Sequence, residues 1–243
     1  MMRSLALLLP FLLFQSISPA QNHVYDDLLI LYVDEEYEKC ISKAERYSDK
    51  EETRRDALPY LYQSMCSHEM SKLDKYTSKP EFKYVGRDAL KYAAKYRKKD
   101  KELEYFKNYG DYWAELNTVA MDMGFLLFDE GSYSKAKRQF QRMVTYYPEN
   151  AGAWQMLALT QLKMNAARDA AESMTEYRKA FAQIGDVERL PKDQQRLLRE
   201  GMVRYTERLQ NKGMIDSART TIAMGKDHFI ENPEFKSLYE ELN

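Results

Sequence analysis

Three histidines, two cysteines and a large population of carboxylates are the side chains of this sequence that could carry chemistry, and their spacing argues against most of it. His23, His68 and His228 stand far apart. His68-Glu69-Met70-Ser71-Lys72 lacks the second histidine of a zinc-protease helix, so it is not that motif, and His68 reads as a surface or turn residue. No Gly-rich phosphate loop, Gly-x-Ser-x-Gly elbow or paired-Cys zinc motif occurs. Asp34-Glu35-Glu36 and Glu51-Glu52 fall at expected helix ends and turns, where helix N-termini and solvent account for negative side chains without catalysis. The expectation is a protein that is not an enzyme, with no catalytic residue, metal site or cofactor.

Binding chemistry has more material. Lys95, Arg97, Lys98, Lys99 and Lys101 form a basic run interleaved with Tyr92, Tyr96 and Tyr105, and Asp100, Glu102 and Glu104 neutralise it locally. Two readings stand: a solvated helix end, or a contact for an anionic partner of the cell envelope. The whole chain of 243 residues balances 37 Lys+Arg against 38 Asp+Glu, for a net charge of −1, which removes the electrostatic footprint of a nucleic-acid binder. Nineteen tyrosines are a heavy load. Tyr37, Tyr47, Tyr96 and Tyr133 fit packing between helices, while Tyr62, Tyr76 and Tyr112 are open to packing or binding.

The elements that must position these residues are helical. Nine Gly and seven Pro are too few for a turn-rich strand architecture. Apolar spacing predicts helices over Tyr25–Val33, Leu58–Leu73, Tyr84–Tyr96 and Leu197–Leu209, and a capping helix over Pro233–Asn243. Before them, a positive Met-Met-Arg start, the apolar residues Leu5 to Phe14, and Ser18-Pro19-Ala20 compose a secretory signal peptide over residues 1–20, cut before Gln21. The apolar part is about half of the roughly 20 residues a membrane span requires. The mature chain, 21–243, is therefore expected to be exported, periplasmic or else extracellular, with no transmembrane segment.

Gly124, Gly131, Tyr133, Ala136, Phe140 and Pro148 outline two apolar helices around a turn at Asp129–Ser132. This segment resembles a tetratricopeptide repeat (TPR), the helix–turn–helix unit of 34 residues. The next unit is in step: Trp154, Leu157, Ala158 and Ala170 match, and Ala170 follows Ala136 by 34 positions. The best-matched repeats are 117–150 and 151–184. Elsewhere the signature returns at Tyr37–Tyr47, Ala89–Tyr96 and Gly213–Ile222 at longer intervals, so first helices are lengthened or an extra helix is inserted, with the excess in residues 97–116 and 183–195. The resemblance implies an all-α, right-handed α-solenoid of antiparallel helix pairs filling 21–243 as a single domain.

A concave groove lined by first helices is the family's binding face. Its positions fall on Met121, Phe125 and Phe128 in the third unit, on Gln155, Leu159, Leu162 and Lys163 in the fourth, and on Glu207 and Gln210 in the last. The competing reading of these side chains is contact with an inserted helix or a neighbouring unit. The same register buries Cys40 and puts Cys66 on the groove face, against a Cys40–Cys66 disulfide that the oxidising export route would allow. The function implied is a non-catalytic protein–protein interaction scaffold or adaptor of a bacterial cell-envelope assembly, such as a secretion or outer-membrane machine. The alternative is a periplasmic peptide-binding or chaperone module. A third class, an enzyme on envelope polymers, would require a carboxylate pair or histidine cluster assembled across repeats.

Overall fold

The computed structural model describes residues 24–243; the expected signal peptide and His23 lie outside the described residues. All regular structure among the described residues is helical. In chain order the α-helices are α1 (Asp26–Val33), α2 (Tyr37–Asp49), α3 (Leu58–Lys72), α4 (Asp74–Thr77), α5 (Val85–Lys99), α6 (Gly110–Asp129), α7 (Tyr133–Tyr146), α8 (Ala151–Lys163), α9 (Ala167–Ala182), α10 (Lys192–Asn211), α11 (Ile215–Ala223), α12 (Lys226–Phe229) and α13 (Pro233–Leu242). Short 3-10 turns at Phe106–Tyr109 and Val187–Arg189 precede α6 and α10. These turns and the 20-residue lengths of α6 and α10 take up the extra residues between Ala89 and Ala136 and between Ala170 and Ala218, while α4 and a 3-10 turn at Pro80–Phe82 take up those between Cys40 and Ala89. No helix among the described residues is long and apolar enough to cross a membrane.

One local device recurs at four helix-to-helix turns. Glu35, Gly131, Asn165 and Gly213 are left-handed, with φ of 59°, 73°, 61° and 72°, and each stands two residues before the second helix of its pair. A left-handed residue lets the next N–H bond back into the last turn of the finished helix. Glu36 N–H reaches Leu31 C=O, Ala166 N–H reaches Gln161 C=O and Met214 N–H reaches Leu209 C=O, each at 2.9 Å. Glycine meets this geometry freely and asparagine tolerates it, whereas Glu35 carries a steric cost of about 1–2 kcal/mol. Gly131 and Asn165 lie 34 positions apart, the spacing expected of the two best-matched units. Helix starts have their own signals: the Asn150 side chain accepts from Ala153 N–H, and Asn232, ahead of Pro233, accepts from Phe235 N–H.

Pairs α1–α2, α3–α5, α6–α7, α8–α9 and α10–α11 pack within themselves. Between pairs, α2 lies on α3, α5 on α7, and α7 on α8, while α10 lies across both α8 and α6 and α13 closes against α10 and α11. Gly124 is where α6 meets α7: a Cβ there would stand 2.7 Å from the Phe140 ring. Ala136 and Phe140, on α7, are fully buried. Of the four tyrosines assigned to packing, Tyr37 and Tyr96 are buried and Tyr47 and Tyr133 half-buried; of the three left open, Tyr62 and Tyr76 are buried and Tyr112 half-buried.

Candidate docking site over helix α6

The crossing of α10 over α6 and α8 decides the fate of the expected groove. Met121, Phe125, Phe128, Gln155 and Leu159 are all buried within the chain. Leu162 and Gln210 are half-buried, and only Lys163 and Glu207 are exposed. The expectation that Phe125 and Leu159 lie open for a partner is therefore corrected: the neighbouring unit covers them. Arg204 of α10 lies 5.0 Å above the Phe125 ring and 5.7 Å from that of Phe128, and its guanidinium grips Asp129 at the end of α6 at 2.5 Å and 3.2 Å. Gln155 packs on Gly201, where a Cβ would meet its Oε1 at 2.8 Å. Gln210 donates to Glu241 of α13 at 2.6 Å.

The open face of α6 is turned away from that crossing. Val119, Met123 and Leu126 are 51%, 44% and 53% exposed, and their spacing puts them on one helical stripe. They stand two positions away from the expected Met121, Phe125 and Phe128, which is about half a turn. The sequence signal was present but ambiguous: α6 is apolar on both faces, and pattern alone does not say which face a neighbour covers.

Towards the N-terminus of α6 lie two adjoining clefts, and the stripe reaches the first of them through Val119. One, of about 440 Å³, lies between His68 and Lys72 of α3, Glu115, Thr118 and Val119 of α6, and Lys192 at the start of α10. The other, of about 360 Å³, has an apolar floor of Leu103, Phe106, Trp113 and Tyr147, with Lys107 and Glu149 among its charges. Ala114, Pro191 and Asp193 line both.

The aromatic floor is held by the loop that follows the basic run. Asp100, buried at the end of α5, accepts from the N–H groups of Glu104, Tyr105 and Phe106 at 2.8, 3.3 and 3.1 Å, and from the Tyr96 hydroxyl. Thus Asp100 anchors a loop. Trp113 stacks between Phe106 at 4.8 Å and Tyr96 at 5.4 Å, and its indole N–H donates to Phe106 C=O at 2.9 Å. Arg97 of the basic run pairs with Glu149 at 2.6 Å, while Lys95 and Lys99 lie over the Tyr60 ring, each at 5.7 Å. Beneath the clefts, Asn117 donates to Asp193 at 2.5 Å and accepts from Asn150 at 3.2 Å, tying α6 to the starts of α8 and α10. Burial raises the Asp193 pKa above its ordinary value.

His68 overturns the surface reading. It is 1% exposed, and its Nε2 lies 3.2 Å from Glu115 Oε2. Burial lowers its pKa, against the opposing hydrogen bond with Glu115. The Glu115 carboxyl is held below its usual value by His68 and Lys72. His228, by contrast, is exposed. Of the cysteines, Cys40 is buried as expected, its thiol donating to Leu28 C=O at 3.5 Å, but Cys66 is equally buried rather than on an open groove face. α2 lies on α3 at this point, and the groove register of Cys66 had missed that contact.

No protein-family model, curated protein or solved structure matches this chain.

Proposed function

We propose that this chain is a TPR-like right-handed solenoid acting as a non-catalytic docking protein of an exported cell-envelope assembly. The partner segment lies along the open face of α6 rather than in the groove that α10 fills. One observation carries the reading: the exposed Val119–Met123–Leu126 stripe leads through Val119 into a cleft that adjoins a second one floored by aromatic rings. Exposed apolar area of this kind is stabilised by burial against a partner, at roughly 1.5–3 kcal/mol for a large side chain. The aromatic cleft also favours the peptide-capture alternative, because it is large enough for an aromatic side chain with mixed charges at its edge.

A photo-crosslinker at Met123 tests both readings in envelope extracts. A single stoichiometric crosslinked protein supports the adaptor, heterogeneous peptides support capture, and crosslinks to neither overturn the site. Leu126→Glu is expected to reduce crosslinking about tenfold or more without lowering the melting temperature, since one large apolar contact corresponds to that change in affinity.

A further inference from the structure

One cluster in the cleft over α6 is not required by docking. His68 and Glu69 of α3 and Glu115 of α6 each offer one donor atom, and the three atoms all lie within 4.8 Å of one another. His68 Nε2 and Glu115 Oε2 are 3.2 Å apart. Two ligands on one tetrahedral zinc ion, each about 2.0–2.2 Å from the metal, stand roughly 3.3–3.6 Å from each other, so this pair is already near the required separation. Glu69 offers a carboxylate oxygen within 4.8 Å of both of these donor atoms.

The surroundings suit a cation with one fixed ligand. The imidazole is immobilised by burial, and an imidazole nitrogen is a common metal ligand. The carboxylates are more open: the Glu69 side chain is 23% exposed and that of Glu115 59%. A cation already sits between them. Lys72 Nζ lies 2.7 Å from Glu69 Oε1 and 3.1 Å from Glu115 Oε2, on a side chain that is 42% exposed and free to withdraw into solvent. The donor set of one imidazole and two carboxylates, with the cleft supplying room for a water as fourth ligand, matches zinc better than calcium or magnesium, which take oxygen alone.

We propose that His68, Glu69 and Glu115 form a Zn²⁺ site opening on the cleft over α6, and that Lys72 is the resident cation which the metal displaces. The ammonium and the metal compete for the same two carboxylates, so Lys72 sets the affinity. The site does not depend on the docking reading, because its ligands come from α3 and α6 alone.

Chelator-treated protein is titrated with Co²⁺, followed by its visible absorption, and then with Zn²⁺. The expected result is one Co²⁺ per chain in a low-symmetry site, displaced by Zn²⁺. Glu69→Gln and Glu115→Gln should each weaken binding by about tenfold or more, since even outer-shell changes cost 10–100-fold. Both positions are accessible to solvent, so these variants are expected to fold, with circular dichroism as the check. Lys72→Met is the discriminating variant. A metal site binds tighter once its competitor is gone, whereas a plain ion-pair network loses stability and gains no metal signal. Absence of a Co²⁺ signal at millimolar metal, binding unchanged by both Gln variants, or binding not tightened by Lys72→Met would each overturn the assignment.

Discussion

Gly152 lies where the backbones of α8 and α10 come close together, and replacing it with alanine tests the α8–α10 crossing that fills the expected groove. An added Cβ would stand 2.6 Å from the carbonyl carbon of Leu197 and from the nitrogen of Leu198, and 2.9 Å from the Leu197 oxygen. Ordinary contact begins at 3.4 Å, so α10 must retreat by about 0.8 Å. The obstructing atoms are backbone, and no rotamer change relieves them. α10 is also pinned against α6, α11 and α13, so retreat at Gly152 opens gaps around Leu197 and Met202, both fully buried.

Overpacking of this kind costs about 1–3 kcal/mol. Alanine recovers about 1 kcal/mol through its better helix propensity. With rigid obstructing atoms the upper end applies, leaving a net loss of about 2 kcal/mol. For a chain of this size that is a fall of roughly 4–8 °C in melting temperature, read by far-ultraviolet circular dichroism. Gly110→Ala is the control. It lies at the start of α6 with nothing within 4 Å of its added Cβ, so it should leave stability unchanged or raise it. Equal melting temperatures for the two variants would refute the close crossing, and with it the reason Phe125 and Leu159 are closed to partners.

Phe125→Ser should behave as a core truncation, losing about 3–5 kcal/mol of stability with a corresponding drop in melting temperature; near-native stability with weakened partner binding would restore the groove. Ala136→Leu should cost about 1–3 kcal/mol by overpacking against α6, and an unchanged thermal transition would show the α6–α7 register to be wrong. The thiols of Cys40 and Cys66 should resist aqueous thiol reagents until the chain unfolds: both are buried, and the neighbouring Cys40 thiol, then burial, push the Cys66 pKa up. Rapid labelling of native protein would contradict that packing. Asp27 clamps α1 to α2, accepting from Lys43 at 2.7 Å and Tyr47 at 2.6 Å. Burial opposes the charge, but these partners hold its pKa below 3.8. A depressed carboxylate stabilises the fold above its unfolded value and loses that contribution as pH falls through the folded one. Amide exchange in α1 should therefore accelerate selectively as pH drops below 3.8, and equal acceleration throughout the chain would remove the clamp from the account.

The sequence by itself determined the helices and the turns between them. Apolar periodicity, Gly131 and Gly213, and the stops at Pro148 and before Pro233 are local signals, written within a few residues of the structure they specify. The close approach at Gly124 and the burial of Ala136 belong to the same class, because a small residue on an apolar face has few other uses. Tertiary structure alone decided which face of each helix meets a neighbour. α6 carries apolar residues on both faces, so the choice between Phe125 and Met123 as the open one rests on where α10 crosses, an approach between residues some 75 positions apart in sequence. The meeting of His68 with Glu115 spans 47 positions, and that of Cys40 with Cys66 follows from α2 lying on α3. Each depends on how helix pairs stack. Stacking is set by the summed packing of many side chains, and no short pattern around His68 or Cys66 records it.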